Sequence, residues 1–213
     1  MAITSGAMPR IRAASIDEHK ELTRRAILDS AKLLISEMGT AEVPLGHLTS
    51  EAGIGRTTFY EYFVDRDDVI ASLVEEQLPG VIQDLIASVE SERIPERLVD
   101  LVVAMVGFIV DNPVLGLILH REVPRLGPDA QRRIMTAHAE LSREMAAAYR
   151  TGVVEGVLRD LDSELVGRFF QDTIMSAAKT VIASAEPRSR AATVTTDIRV
   201  ILIGALVVDP AEG

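Results

Sequence analysis

Along most of the chain, apolar residues recur at helical spacing. Between 21 and 38, Ile27, Ala31, Leu34, Ile35 and Met38 follow one another at intervals of four, three, one and three, which makes one helix face. Ser15 and Glu18 have the capping-box spacing that would start this helix, and Gly39 stands where a left-handed cap would end it. A short segment, 44–52, opens with Pro44 in its first turn; Gly53 interrupts it, and a second short segment runs over 56–63. Asp65 is placed to cap the next helix, whose first turn carries Asp67 and Asp68 beside the positive helix end. Ile70, Val74, Leu78, Val81, Ile82, Leu85 and Val89 form its stripe, and Pro79 followed by Gly80 predicts a break or kink within it. Further helices are expected over 95–111, 113–122, 128–159, 162–185 and 190–208, with Pro95, Pro113 and Pro128 suited to first helical positions. Period-two alternation is never sustained. The expected fold class is all-α.

Composition narrows the chemistry. The chain has 213 residues, with 47% hydrophobic and 25% charged residues, as in ordinary globular domains. The absence of Cys removes disulfides, thiolate metal sites and cysteine nucleophiles. The four histidines, His19, His47, His120 and His138, have no metal-ligand spacing. Without a glycine-rich phosphate loop or nucleophile elbow, neither catalytic activity, nor a metal, nor a cofactor is expected. The uncharged runs 101–110 and 200–208 are shorter than the roughly 18 residues of a membrane span and read as buried core helices. Residues 1–14 are small and polar without an export signal, so a disordered arm, a cytoplasmic location and no membrane partner are expected.

The net charge of −10 argues against bulk attraction to nucleic acid. Residues 1–70 hold 8 Lys/Arg against 11 Asp/Glu, so any DNA contact must come from local placement of charge.

That local placement centres on "AGIGRTTFYEYF". The chain has only five Phe and three Tyr, yet Phe59, Tyr60, Tyr62 and Phe63 fall within five positions. Two short helices joined by a glycine turn make a helix-turn-helix. Leu48 and Ala52 would face the first helix, and Ile54 would plug the junction. Phe59 and Phe63, at i and i+4, share the inward face. Arg56, Thr57, Tyr60 and Tyr62 are left on the other side, where hydroxyls and a guanidinium suit phosphate oxygens and base edges. Arg66 is placed for a further phosphate.

These residues resemble the DNA-binding domain of TetR-type transcriptional regulators. The resemblance covers about 22–70, through "TRRAILDSAKLLISEMG" and "AGIGRTTFYEYFVDRDDVI". Ala52, Gly53, Ile54, Thr58, Phe59, Tyr60, Tyr62, Phe63, Arg66 and Val69 match that family's pattern. Gly55 replaces its usual capping Ser, and Thr49 its usual Ala, which adds a hydroxyl.

The resemblance implies a helix-turn-helix DNA-binding domain over 15–65 and a larger helical ligand-binding and dimerisation domain over 66–213. The implied partners are a double-stranded DNA operator, an apolar or aromatic small-molecule effector and a second copy of the chain. Thr49, Gly55, Arg56, Thr57, Thr58, Tyr60, Tyr62 and Arg66 are the implied DNA contacts. Met105, Phe108, Leu117, His120, Met135, Phe169 and Met175 are candidate effector contacts, although the same residues also suit an ordinary core. Two long helices at the C-terminal end are apolar over more than one face, which suits a homodimer; Val166, Phe170, Ile174, Ile198, Leu202 and Ala205 are its candidate interface. The implied function is a ligand-responsive repressor. The alternative is a helical ligand-binding or protein-interaction module that keeps the fold without useful DNA affinity.

Overall fold

A computed structural model describes residues 11–209, except for the side chains of residues 11–16 and of His120. Nine α-helices account for most of these residues: α1 (Ile11–Met38), α2 (Leu45–Glu51), α3 (Arg56–Phe59), α4 (Arg66–Ser88), α5 (Ile94–Asp111), α6 (Pro113–Leu117), α7 (Pro128–Val154), α8 (Ser163–Ile182) and α9 (Pro187–Leu206). The only β pairing among the described residues is an isolated bridge between Leu158 and Val207. Contacts divide the chain after Leu73, inside α4, rather than at the expected boundary between 65 and 66.

The first unit is built around the predicted stripe of α1. Ile27, Ala31 and Ile35 are buried with Leu48, Phe59, Phe63, Val69 and Ile70. The helix is already formed at Ile11, so it does not start at Ser15 and 11–14 are not an unstructured arm. The expected arm otherwise lies outside the described residues. Gly39, at φ +61°, closes α1 as expected: a β-carbon there would crowd the following carbonyl. At the start of α4, the Asp68 amide donates to Asp65 Oδ1 at 2.9 Å and the Val64 amide to Asp68 Oδ2 at 2.9 Å. Asp65 thus caps the helix as the sequence implies.

In the second unit, α5 packs against α7, α8 and α9. Leu98, Leu101, Val102, Met105 and Ile109 are buried on α5 against Leu141 and Tyr149 of α7, Val166 and Phe170 of α8, and Ile198 and Leu202 of α9. The Tyr149 hydroxyl donates to the Arg159 carbonyl at 2.8 Å and accepts from the Leu161 amide at 2.9 Å. It fastens the end of α7 to the start of α8. Asp162 caps α8 through the Leu165 amide at 2.8 Å.

Several expectations need correction. α4 runs uninterrupted through Pro79, so the predicted break is absent; burial of Val74, Leu78 and Ile82 on one face keeps the helix together despite the missing amide. The helix expected over 113–122 is α only to Leu117 and continues as a π-helix, Ile118–Glu122, and a 3-10 turn, Val123–Arg125. Pro124 cannot donate to the carbonyl four residues earlier, and the Val123 amide reaches back to Ile118 instead. The run 200–208 is not a buried core segment: Val200, Ile201 and Ile203 are 70%, 54% and 43% exposed.

Candidate nucleic-acid interface and ligand cavity

The helix-turn-helix is α2, a turn and α3. Gly53 takes φ +66° in that turn, a conformation that favours glycine. Phe59 is fully buried and Phe63 nearly so, with ring centroids 5.9 Å apart, and the Arg24 guanidinium lies 5.6 Å from the Phe63 centroid. Burying one phenyl ring is worth about 1.5–3 kcal/mol, enough to fix the roll of a helix as short as α3. The opposite side is thereby held outward. Arg56 and Thr57 are exposed, Tyr60 is 59% exposed, and Thr58 and Tyr62 are half-buried. The Tyr60 ring stands edge-on to Phe59 at 5.5 Å, which anchors the phenol while its outer part faces solvent.

Two of the expected DNA contacts are placed differently. Thr49 is buried and its hydroxyl donates to the Gly46 carbonyl at 3.3 Å, so it is turned onto its own helix and away from the exposed row. Arg66 is half-buried and donates to Asp67 Oδ1 at 2.8 and 3.1 Å, so its charge is already partly matched. Gly55 precedes α3 in extended backbone without a side-chain cap, as its residue type requires.

In the second unit, a cavity of about 390 Å³ lies between α7 and α8, with α5 and the π-helix segment completing its walls. Met105, Met135 and Met175 of the predicted set line it. Phe108, Leu117 and Phe169 do not, and the side chain of His120 lies outside the described part. Most of the remaining wall was not anticipated: Leu119, Val123, Ile134, Leu141, Met145, Phe170 and Ile174 supply apolar surface, and His138, Ser142, Gln171, Glu164 and Arg168 supply polar atoms. A smaller cavity of about 190 Å³ shares Met145, Gly167 and Phe170 with it and continues toward Tyr149 and Arg150. Burial holds the His138 pKa below the ordinary histidine value, so its imidazole is neutral at pH 7. Periodicity shows that His138 and Gln171 each border an apolar stripe, but not that the two stripes meet.

The candidate dimer residues also need correction. Val166, Phe170, Ile174, Ile198 and Leu202 are buried inside this chain, which leaves them no surface for a partner; Ala205 alone of the six is exposed. Each helix has two adjacent apolar rows, and α5 covers the one that was assigned to the interface.

Known proteins agree with this division. The family described as "Bacterial regulatory proteins, tetR family" matches residues 27–73, which include the whole helix-turn-helix. The family described as "Tetracyclin repressor-like, C-terminal domain" matches residues 91–179, which include all the described residues of the cavity wall. The chain belongs to the TetR family. Among relatives within the helix-turn-helix family, the HTH-type transcriptional repressor LfrR of Mycolicibacterium smegmatis is 43% identical over 54 residues, 25% of this chain and 28% of that protein. The chain therefore matches under a third of the length of this curated relative. A TetR-family structure from Shewanella sp. PV-4 superposes with a TM-score of 0.71 at 18% identity, covering 88% of this chain and 99% of that one. The transcriptional regulator FadR of Bacillus subtilis, in complex with stearoyl-CoA, superposes with a TM-score of 0.70 at 18% identity, covering 84% and 97%. At such identities these two structures establish the TetR fold alone. Among the described residues, no helix is long and apolar enough to cross a membrane, and no cluster of three or more His, Asp or Glu is arranged to hold a metal ion.

Proposed function

We propose that the chain is a DNA-binding transcriptional regulator, a repressor released from a pseudo-palindromic operator when a small hydrophobic effector fills the cavity between α7 and α8. The observation that carries this reading is the exposed row Arg56, Thr57 and Tyr60, held outward by the buried Phe59 and Phe63. In this reading Arg56 and Thr57 meet base edges, Tyr60 and the neighbouring hydroxyls meet phosphate, and Arg66 adds a phosphate contact by exchanging its bond to Asp67. The first unit is the DNA-binding part; the second takes the effector and dimerises.

The dimer contact is assigned to the outward rows of α8 and α9. Leu165, Val200 and Ile203 are 64%, 70% and 43% exposed, Gly204 and Ala205 lie beside them, and Phe169 is half-buried. Apolar exposure of this kind suits a partner's surface. A two-fold pair would present two recognition helices about 34–36 Å apart, or a multiple of that, to matching half-sites. The stearoyl chain of the ligand in the Bacillus subtilis structure is in keeping with an effector that has an apolar part.

Selection of duplexes from a random pool tests the proposal. Enrichment of two inverted half-sites whose spacing matches whole helical turns is expected. Failure to enrich any sequence would instead favour a ligand-binding module without DNA affinity.

A further inference from the structure

We propose that the cavity between α7 and α8 takes an uncharged, flexible apolar molecule carrying one hydroxyl or carbonyl group, and that His138 hydrogen-bonds that group. This rests on the effector reading above and names the chemistry of the effector.

Three observations carry it. First, all four methionines beyond residue 74, Met105, Met135, Met145 and Met175, line this single cavity. Unbranched thioethers follow the shape of a flexible guest better than branched side chains do. Second, His138 lines that wall half-buried and without a hydrogen-bond partner among the described residues, and its burial favours the neutral ring. A neutral imidazole offers one donor and one acceptor, so it matches a hydroxyl in either tautomer or a carbonyl through its N–H. Third, among the described residues the only charged groups on the wall, Glu164 and Arg168, are bonded to each other and are 76% and 71% exposed. They cancel at the rim and leave the described inner wall without a counter-charge, where an ionic head group would lose hydration unmatched. The volume of about 390 Å³ suits a ligand of modest size.

The test uses three molecules with the same alkyl chain: 1-decanol, decanoate and decylammonium. Their binding to the full chain is measured by calorimetry at neutral pH without DNA. The expected result is that 1-decanol binds and that both charged homologues bind at least about tenfold more weakly. His138→Phe should weaken 1-decanol binding about tenfold, and His138→Gln, which keeps a donor and an acceptor, should recover most of it. Gly167→Leu places a side chain at the cavity wall, where an added β-carbon meets nothing within 4 Å, and should abolish binding. Decanoate or decylammonium binding as tightly as 1-decanol would overturn the proposal. Unchanged 1-decanol affinity in His138→Phe or in Gly167→Leu, or no binding of any of the three up to the solubility limit of 1-decanol, would overturn it as well. Operator binding is read separately on the same preparations. DNA binding without alkyl binding refutes the cavity chemistry alone, whereas alkyl binding without DNA affinity refutes the regulator reading alone.

Discussion

Phe59, the last residue of α3, and Tyr60, its C-cap, are neighbours in the chain and serve opposite sides. Phe59 has no exposed surface, and Phe59→Ala should cost about 3–5 kcal/mol in chemical denaturation, because a large buried ring leaves a cavity behind. Tyr60→Phe removes one hydroxyl from a side chain that is 59% exposed and should leave stability within about 0.5 kcal/mol. Its effect should appear in DNA binding, weakened alike for all sequences, since a phosphate contact carries no base information. Arg56→Ala should instead change which sequences are preferred. A base-substitution panel that gives both variants the same profile would refute this division. The inward assignment of Phe59 and Phe63 follows from i, i+4 spacing and leaves Tyr60 outward, so this part of the site was legible in the sequence, whereas Tyr62, also expected outward, is half-buried. Burial of Thr49 was not, because a hydroxyl can turn to solvent or to its own helix, and spacing does not distinguish the two.

Among the helices, two glycines in the second unit give the same substitution opposite signs. On α7, a β-carbon at Gly152 would lie 2.5 Å from Leu158 Cδ1 and 2.9 Å from Ile94 Cγ2, so Gly152→Ala must displace a packed core and should cost about 1–3 kcal/mol. On α8, Gly167 has open space around the added carbon, and Gly167→Ala should stabilise by about 0.5–1 kcal/mol through helix propensity. Thermal melts of both variants check the pair. Most helices were predictable to within a few residues, since each carries a single clear stripe and a Pro, Gly or Asp at its ends. The interface residues were misjudged because α8 has two neighbouring apolar rows. Local periodicity identifies both, but only the position of α5 decides which row is covered.

On the scale of the whole molecule, His138 links stability to pH. Its folded pKa lies below the unfolded value of 6.5 because burial disfavours the imidazolium. The unfolded chain therefore binds the extra proton first as pH falls. The contribution of the neutral ring is fully present above the unfolded pKa and is lost from there down to the folded one. Denaturation midpoints should fall over that window in the wild type and fall less in His138→Phe; identical pH profiles would remove this role. Such long-range placement is what the sequence could not supply. His138, Gln171 and Met105 come together only because three separate helices pack, and nothing in their local patterns records it.

The central claim is that an acidic chain reads DNA through a small outward row of residues. Affinity for its selected duplex, measured against salt concentration, tests this most directly. A plot of log affinity against log salt should fall with a slope of several units, and Tyr60→Phe should weaken binding without altering sequence preference. Affinity that does not respond to salt, or that is the same for the selected duplex and a scrambled one, would contradict the account.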